Sequence, residues 1–188
     1  MKRTVTAVLA LLGAALLTLA AVGGEATPPA AQEPPQPTVE ESTLTRVGQQ
    51  APDFTVATLD GGSFSLSGQR GKVVLVNWFA TWCPPCIAEM PHLQKEVWEK
   101  FRGPGFAMVS IARAETLQVV QPFVAQRALT WTFALDPARE AYARYATAFI
   151  PRNQVISRTG EILFQSEGFE EEDFAEMIEV IAGELGQD

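Results

Sequence analysis

The chain has 188 residues, of which 47% are hydrophobic and 19% charged, and this composition excludes a largely disordered protein. Its length predicts one folded domain with a substantial core. The formal net charge of −8 argues against nucleic acid and anionic lipid headgroups as partners, because both are negatively charged.

The N-terminus carries a predicted export segment, which we place at residues 1–23. Lys2 and Arg3 precede an uncharged apolar stretch over residues 5–22, the pattern of a signal peptide or of an N-terminal membrane anchor. Both alternatives stay open, and both predict export to the periplasm or another extracytoplasmic space. If the segment is retained, it anchors the protein in the cytoplasmic membrane and makes the chain's only contact with the bilayer.

A linker is predicted next. Residues 24–45 are rich in Pro, Glu, Gln, Ala and Thr and contain almost no large apolar side chain. This composition is typical of a stiff, disordered tether. The folded domain is therefore expected to comprise residues 46–188.

Alternating strand and helix patterns predict the architecture of this domain. A hairpin comes first. It is followed by a continuous apolar run that indicates a strand buried on both faces, and then by a helix in which Pro91 should cause a kink by removing one backbone hydrogen bond. The result is an α/β fold with a central mixed β-sheet flanked by helices and an N-terminal β-hairpin extension. The predicted elements are strands over 53–58, 63–66 and 72–78, a helix over 85–101, a strand over 106–112, a helix over 116–127, an edge-like strand over 131–135, a short helix over 137–145 with Asp136 as its N-cap, a hairpin over 153–157 and 161–165, and an acidic C-terminal helix.

The most informative motif is the pair Cys83 and Cys86, the only cysteines of the chain. They follow the buried strand and begin a helix, where the helix N-terminus lowers a thiol pKa. This predicts disulfide exchange in which Cys83 attacks and Cys86 resolves the mixed disulfide. Pro84 and Pro85 remove two backbone donors that would favour the thiolate, so we expect a moderate pKa depression that suits a reductant.

Three stretches carry a specific resemblance: residues 77–89, Phe149–Ile150–Pro151, and residues 50–54. Together they resemble the TlpA/ResA-like group, which consists of exported or membrane-tethered thiol-disulfide oxidoreductases with the thioredoxin fold and includes the cytochrome c maturation reductases. The similarity extends from about residue 48 to the C-terminus. It implies no cofactor beyond the redox-active disulfide, a protein client that binds as an extended segment, and a membrane thiol-reducing electron donor.

Glu89 is the candidate proton acceptor. It lies one helical turn after Cys86, and the resemblance implies that a Glu here handles the proton of the resolving cysteine. Ordinary thioredoxins carry Asp where this chain has Asn77, which cannot accept a proton. We therefore predict three catalytic residues, Cys83, Cys86 and Glu89. The alternative for Glu89 is an ordinary exposed glutamate on the helix surface.

The substrate-binding surface is predicted from the same resemblance. It implies a cis-proline that faces the dithiol and presents the preceding backbone to the client. Arg152 replaces the more usual Thr, and either lies at the rim, where it favours an acidic partner, or is simply solvated. The predicted substrate-binding residues are Trp82, Pro84, Pro85, Ile150 and Pro151.

Two rival functions need different residues. A peroxiredoxin needs Pro and Thr or Ser seven and three residues before its reactive cysteine, but Cys83 is preceded there by Val76 and Ala80. A Cu(I)-delivery module would use both thiolates and His92, because soft ligands select Cu(I). The usual spacing of such modules is wider and includes a more distal His, so we interpret His92 as a surface residue.

Overall fold

A seven-stranded mixed sheet forms the centre of the part of the chain that the computed structural model describes, residues 36–186. The strands are β1 (Thr55–Thr58), β2 (Ser63–Ser65), β3 (Val73–Phe79), β4 (Phe106–Arg113), β5 (Thr132–Asp136), β6 (Arg152–Ile156) and β7 (Ile162–Glu167). Their order across the sheet is β2-β1-β5-β4-β3-β6-β7. β4 is parallel to β3 and β5, and the other neighbours are antiparallel.

Five α-helices accompany the sheet in this part of the chain: α1 (Val39–Ser42), α2 (Pro84–His92), α3 (Glu99–Phe101), α4 (Leu117–Gln126) and α5 (Glu171–Leu185). A π-helical segment, Leu93–Trp98, joins α2 to α3 and begins two residues after Pro91. Pro91 has no N–H to donate to the carbonyl of Ile87, and the helix widens directly after this missing bond. The helix thus departs from regular α-helical hydrogen bonding just beyond the position where the sequence predicts a kink.

Within residues 36–186 no helix is long and apolar enough to cross a membrane. The predicted export segment, residues 1–23, lies outside the described residues, as does the linker up to residue 35.

The two faces of the sheet carry separate apolar cores. All seven residues of β3 are buried, and their side chains alternate between the faces. Odd-numbered apolar residues of β3 pack against α2, α4 and α5, whereas its even-numbered residues, including Trp78, pack against segments before β1 and after β5. The alternation places the buried amide of Asn77 on the same face as α2.

The predicted α/β architecture with its N-terminal hairpin, β1–β2, is confirmed, but two local predictions are wrong. β5 is not an edge strand, because it pairs with β4 on one side and with β1 of the hairpin on the other. The predicted helix over 137–145 is only a single 3₁₀ turn, Tyr142–Arg144. Asp136 ends β5 instead of capping a helix, and its Oδ2 accepts a 2.7 Å hydrogen bond from the N–H of Tyr142.

The folded unit begins earlier than the sequence predicts. The sequence predicts a linker over residues 24–45, whereas the compact unit starts at Gln36. We call residues 36–45 the N-terminal strap. It contains α1, which opens with a reciprocal capping box between Thr38 and Glu41. The linker prediction rested on the scarcity of large apolar side chains in this segment, whereas the strap is held in place by hydrogen bonds.

Backbone hydrogen bonds attach the strap to the segment that leads to Ile150. The N–H of Leu44 donates to the carbonyl of Tyr145 at 2.9 Å, and the N–H of Thr147 donates to the carbonyl of Ser42 at 2.8 Å. The strap therefore supports the loop before β6.

Arg152 is buried beneath this strap, with only 2% of its surface exposed, so its predicted position at the rim is wrong. Its guanidinium donates to Ser42 Oγ at 2.8 Å, to Thr43 Oγ1 at 2.9 Å and to the carbonyl of Ala148 at 3.1 Å. Even-numbered residues of β6 face away from α2, and on that face of the sheet the strap covers Arg152. The Arg152 guanidinium therefore links the strap to the loop before β6.

Arg152→Met should loosen the strap, because it removes three hydrogen bonds from a charged donor. We expect the amides of Leu44 and Thr147 to exchange with deuterium about ten- to a hundredfold faster, corresponding to about 1–3 kcal/mol less local protection. Arg46→Met, at an exposed position directly after the strap, should leave both rates unchanged. Equal rates in wild type and Arg152→Met would contradict this role.

Candidate active site

Cys83 and Cys86 form a disulfide at the start of α2, with their Cα atoms 5.3 Å apart. Cys83 is the N-cap of the helix, and its Sγ accepts a 3.3 Å hydrogen bond from the N–H of Cys86. Pro84 and Pro85 occupy the first two helical positions, so neither contributes a donor. In the reduced protein, the N–H of Cys86 and the helix N-terminus are placed to stabilise a thiolate at Cys83.

A buried carboxylate holds the turn between β3 and the dithiol. Glu115 is 7% exposed, and its two oxygens accept hydrogen bonds from the N–H and the hydroxyl of Thr81, at 2.7 and 2.5 Å. Thr81 lies two residues before Cys83, so this contact orients the approach to the disulfide. The sequence analysis did not identify Glu115, because its partner is 34 residues away in the chain.

The disulfide opens onto a groove of about 410 Å³, lined chiefly by residues 82–85 and 147–150. The carbonyl oxygen of Ile150 lies 3.6 Å from Cys83 Sγ, and the Ile150–Pro151 peptide bond is cis. Trp82 is 65% exposed at the groove. The structure thus brings four of the five predicted substrate-binding residues to the groove, whereas Pro151 itself is buried.

Glu89 is fully buried, which rules out the exposed alternative. Its Oε1 accepts a 2.6 Å hydrogen bond from Asn153 Nδ2, and its Oε2 accepts one of 3.0 Å from Asn77 Nδ2. Burial raises the pKa of Glu89 to about 7, and the two amide donors oppose this shift by stabilising the carboxylate. A carboxyl group with a pKa near 7 can both accept and return a proton at neutral pH.

The Glu89 site continues as a buried polar row across three strands. Asn77 in β3 pairs in register with Ser110 in β4 and with Asn153 in β6. Asn77 accepts a 2.8 Å hydrogen bond from Ser110 Oγ, which accepts one of 2.9 Å from Trp131 Nε1. The sequence analysis did not identify Ser110, Asn153 or Trp131 as members of this row. The period-two alternation in each strand was the signal that could have found them.

Two arginines that the sequence analysis did not identify also line the groove. They are Arg113, at the end of β4, and Arg139, in the loop after β5. Both guanidinium groups lie against the ring of Tyr142. The groove therefore combines a disulfide, an exposed tryptophan and two cationic side chains.

His92 lies on the outer part of α2, where it is exposed as predicted. Its Nδ1 is 2.6 Å from Glu96 Oε1, and its ring contacts Phe169 and Phe174. In the described part of the chain, no group of three or more His, Cys, Asp or Glu side chains is placed to hold a metal ion.

Known proteins resemble this chain over most of its length. Residues 46–181 match the Redoxin family. The chain is 30% identical over 145 residues to the thiol-disulfide oxidoreductase ResA of Halalkalibacterium halodurans, covering 77% of this chain and 82% of that protein.

Two solved structures are also similar. One is described as a protein disulfide isomerase from Bacteroides thetaiotaomicron, with 37% identity and a TM-score of 0.75 over 78% of this chain and 94% of that one. The other is a secreted Mycobacterium tuberculosis disulfide oxidoreductase homologous to E. coli DsbE, with 25% identity and a TM-score of 0.59 over 69% and 95% of the two chains. These similarities confirm the expected thioredoxin fold.

Proposed function

This chain belongs to the Redoxin family and is a TlpA/ResA-like thiol-disulfide oxidoreductase, and we propose that it reduces disulfide bonds of client proteins outside the cytoplasm. One observation carries the proposal. The Cys83–Cys86 disulfide begins a helix and faces a groove in which the Ile150 carbonyl lies 3.6 Å from Cys83 Sγ. An extended client segment in this groove would bring its own disulfide to Cys83.

The proposed reaction starts from the reduced protein. The Cys83 thiolate attacks one client sulfur, a mixed disulfide forms, and the other client sulfur leaves as a thiolate that takes up a proton. Cys86 then passes its proton to Glu89 and attacks Cys83 Sγ, which releases the second client sulfur. Two electrons have moved to the client, and the protein is left with the Cys83–Cys86 bond that the structure contains.

Regeneration needs an external dithiol. We propose that a membrane thiol-reducing protein supplies these electrons and that the redox-active disulfide is the only cofactor. The proposed location is extracytoplasmic, with residues 5–22 as signal or anchor, and the secreted Mycobacterium tuberculosis relative supports it. Cytochrome c maturation is one process that such a reductant would serve.

The start of α2 supports the proposed reducing direction. A disulfide becomes a strong oxidant when the protein stabilises its reduced, thiolate form. Here Pro84 and Pro85 leave the N–H of Cys86 as the first helical donor to Cys83 Sγ. Because fewer donors stabilise the thiolate, we expect the reduced form to give up its electrons readily.

The reduction potential of the Cys83/Cys86 couple tests the direction. We expect a value near or below about −220 mV, in the range of reducing thioredoxins and glutaredoxins. The protein would be equilibrated in glutathione or dithiothreitol buffers and its free thiols counted by alkylation and mass spectrometry, with Trp82 fluorescence as a second readout. Cys83→Ser, which cannot form the disulfide, should show no two-electron transition.

A potential near about −120 mV would make the protein an oxidant and overturn the proposed direction. Reduction of a disulfide-bonded protein such as insulin by the dithiol form gives an independent check. A protein with a low potential that leaves insulin intact would contradict reduction of protein clients.

A further inference from the structure

The groove beside Cys83 holds two positive charges, and among the described residues neither has an acidic partner. Arg113 and Arg139 lie 4.8 and 5.7 Å from the centre of the Tyr142 ring, and both line the groove with Cys83. Within residues 36–186, no Asp or Glu oxygen lies within 4.0 Å of either guanidinium. The described lining of the groove contains no acidic residue.

The position of these charges is set by the same residues that shape the client site. Arg139 Nη2 donates to the carbonyl of Thr147 at 2.8 Å, and the hydroxyl of Tyr142 lies 2.6 and 2.5 Å from the carbonyls of Ala148 and Phe149. This backbone continues directly into Ile150. The guanidinium groups are thereby fixed next to the backbone that an extended client would follow.

An anion would stabilise this arrangement. Burial lowers the pKa of the Arg113 guanidinium, Tyr142 opposes this, and the positive charge of Arg139 lowers the pKa further. Arg139 also has a φ of 60°, in the left-handed region that residues other than glycine rarely adopt. The chain has a net charge of −8, whereas the described lining of this groove has two positive charges and no negative one, so the local charge is opposite in sign to that of the whole chain.

We propose that Arg113 and Arg139 form a subsite for a client carboxylate, so that the protein prefers disulfides flanked by Asp or Glu. The proposal rests on the exchange of protein disulfides proposed above and adds to it the chemical class of the client segment. Arginine is suited to this role because its planar donors match a carboxylate. We assign the preference for an acidic client to Arg113 and Arg139. Arg152 cannot provide it, because its side chain is buried.

Three disulfide-closed peptides that differ only in the residue before the first cysteine, Asp, Asn or Lys, test the subsite. The reduced protein should reduce the Asp peptide about three- to tenfold faster than the Asn peptide at low ionic strength, and the Lys peptide more slowly than either. The Asp/Asn ratio should approach one in 1 M salt, because screening removes the attraction.

The variants Arg139→Gln and Arg113→Gln should each lower the Asp/Asn ratio, and Arg139→Glu should favour the Lys peptide. Arg127→Gln is the matched control. Arg127 also lies over an aromatic ring, that of Phe123 at 3.9 Å, but it does not line the groove. The ratio between peptides, rather than the absolute rate, is the readout because an arginine near Cys83 also changes thiol reactivity.

Equal rates for the three peptides in wild type, or an unchanged ratio in both Gln variants, would overturn the subsite. The same peptides with serine in place of cysteine separate binding from chemistry, and fluorescence anisotropy would give their Kd values. Tighter binding of the Asp peptide without reduction of any disulfide would support the subsite and contradict the proposed reductase function. Equal Kd values for the Asp and Lys peptides would contradict the subsite even if every disulfide is reduced.

Discussion

Cys83→Ser should abolish disulfide exchange, whereas Cys86→Ser should stop the reaction at a mixed disulfide between Cys83 and the client. We expect turnover to fall by about 10³-fold or more in both variants, because neither can complete the two-step exchange. The order in which the two cysteines react follows from their positions in α2. Cys83 caps α2, lines the groove and faces the Ile150 carbonyl, whereas Cys86 is fully buried one turn into the helix and does not line the groove.

Mass spectrometry of each variant after incubation with a disulfide peptide distinguishes the two roles. A single peptide adduct should accumulate on Cys86→Ser and not on Cys83→Ser. Each variant is the other's control, since both lack the internal disulfide and differ only in the thiol that remains. An adduct on Cys83→Ser alone would reverse the order of attack, and full turnover by either variant would contradict the two-cysteine mechanism.

Glu89→Gln should remove a pH dependence of stability between about pH 4.5 and pH 7. The pKa of Glu89 is raised from 4.5 to about 7 in the folded protein, chiefly by burial, so folding favours the protonated carboxyl. Its contribution to stability is fully present below pH 4.5 and is lost as the pH rises through about 7. At pH 8 the buried carboxylate costs about 3 kcal/mol relative to the protonated form. Glutamine cannot ionise and therefore escapes this cost.

Urea unfolding of the oxidised protein at pH 5 and pH 8 measures the effect. The free energy of unfolding of Glu89→Gln, relative to wild type, should be higher at pH 8 than at pH 5 by about 2.5 kcal/mol, because a small part of the cost is already present at pH 5. Glu176→Gln, at an exposed position of α5, should show no such difference. The same difference for both variants would mean that Glu89 is not the titrating group.

The same variant should slow resolution of the mixed disulfide. Without a carboxylate to take the proton of Cys86, the rate of this step should fall by about 100-fold at pH 7. In wild type the rate should rise with pH through about 7, the pKa of Glu89, whereas in Glu89→Gln the rise should move toward the ordinary thiol pKa of about 8.5. Rapid-quench measurement of the adduct gives both profiles, and coincident profiles would exclude Glu89 as the proton acceptor.

Local sequence was sufficient for the central part of this site. An apolar run ending in two cysteines at a helix start predicts a strand, a turn and a thiol at a helix N-terminus, because each signal lies within a few residues of the next. Strand alternation adds more, since the odd-numbered side chains of β3 share one face and Asn77 must therefore face the helix that carries Glu89. The structure has both arrangements.

Local sequence patterns are thus enough to predict the α/β architecture of this protein, its redox pair and the position of Glu89 one turn beyond it. The environment of those residues depends on how distant segments pack together. Arg152 is buried because a strap 109–110 residues away supplies two of its hydrogen-bond acceptors. Arg113 and Arg139 reach the same groove because both pack on Tyr142, whose hydroxyl contacts the backbone of residues 148 and 149. Periodicity shows which face a side chain occupies, but the partner on that face depends on how distant segments pack, and no local pattern records it.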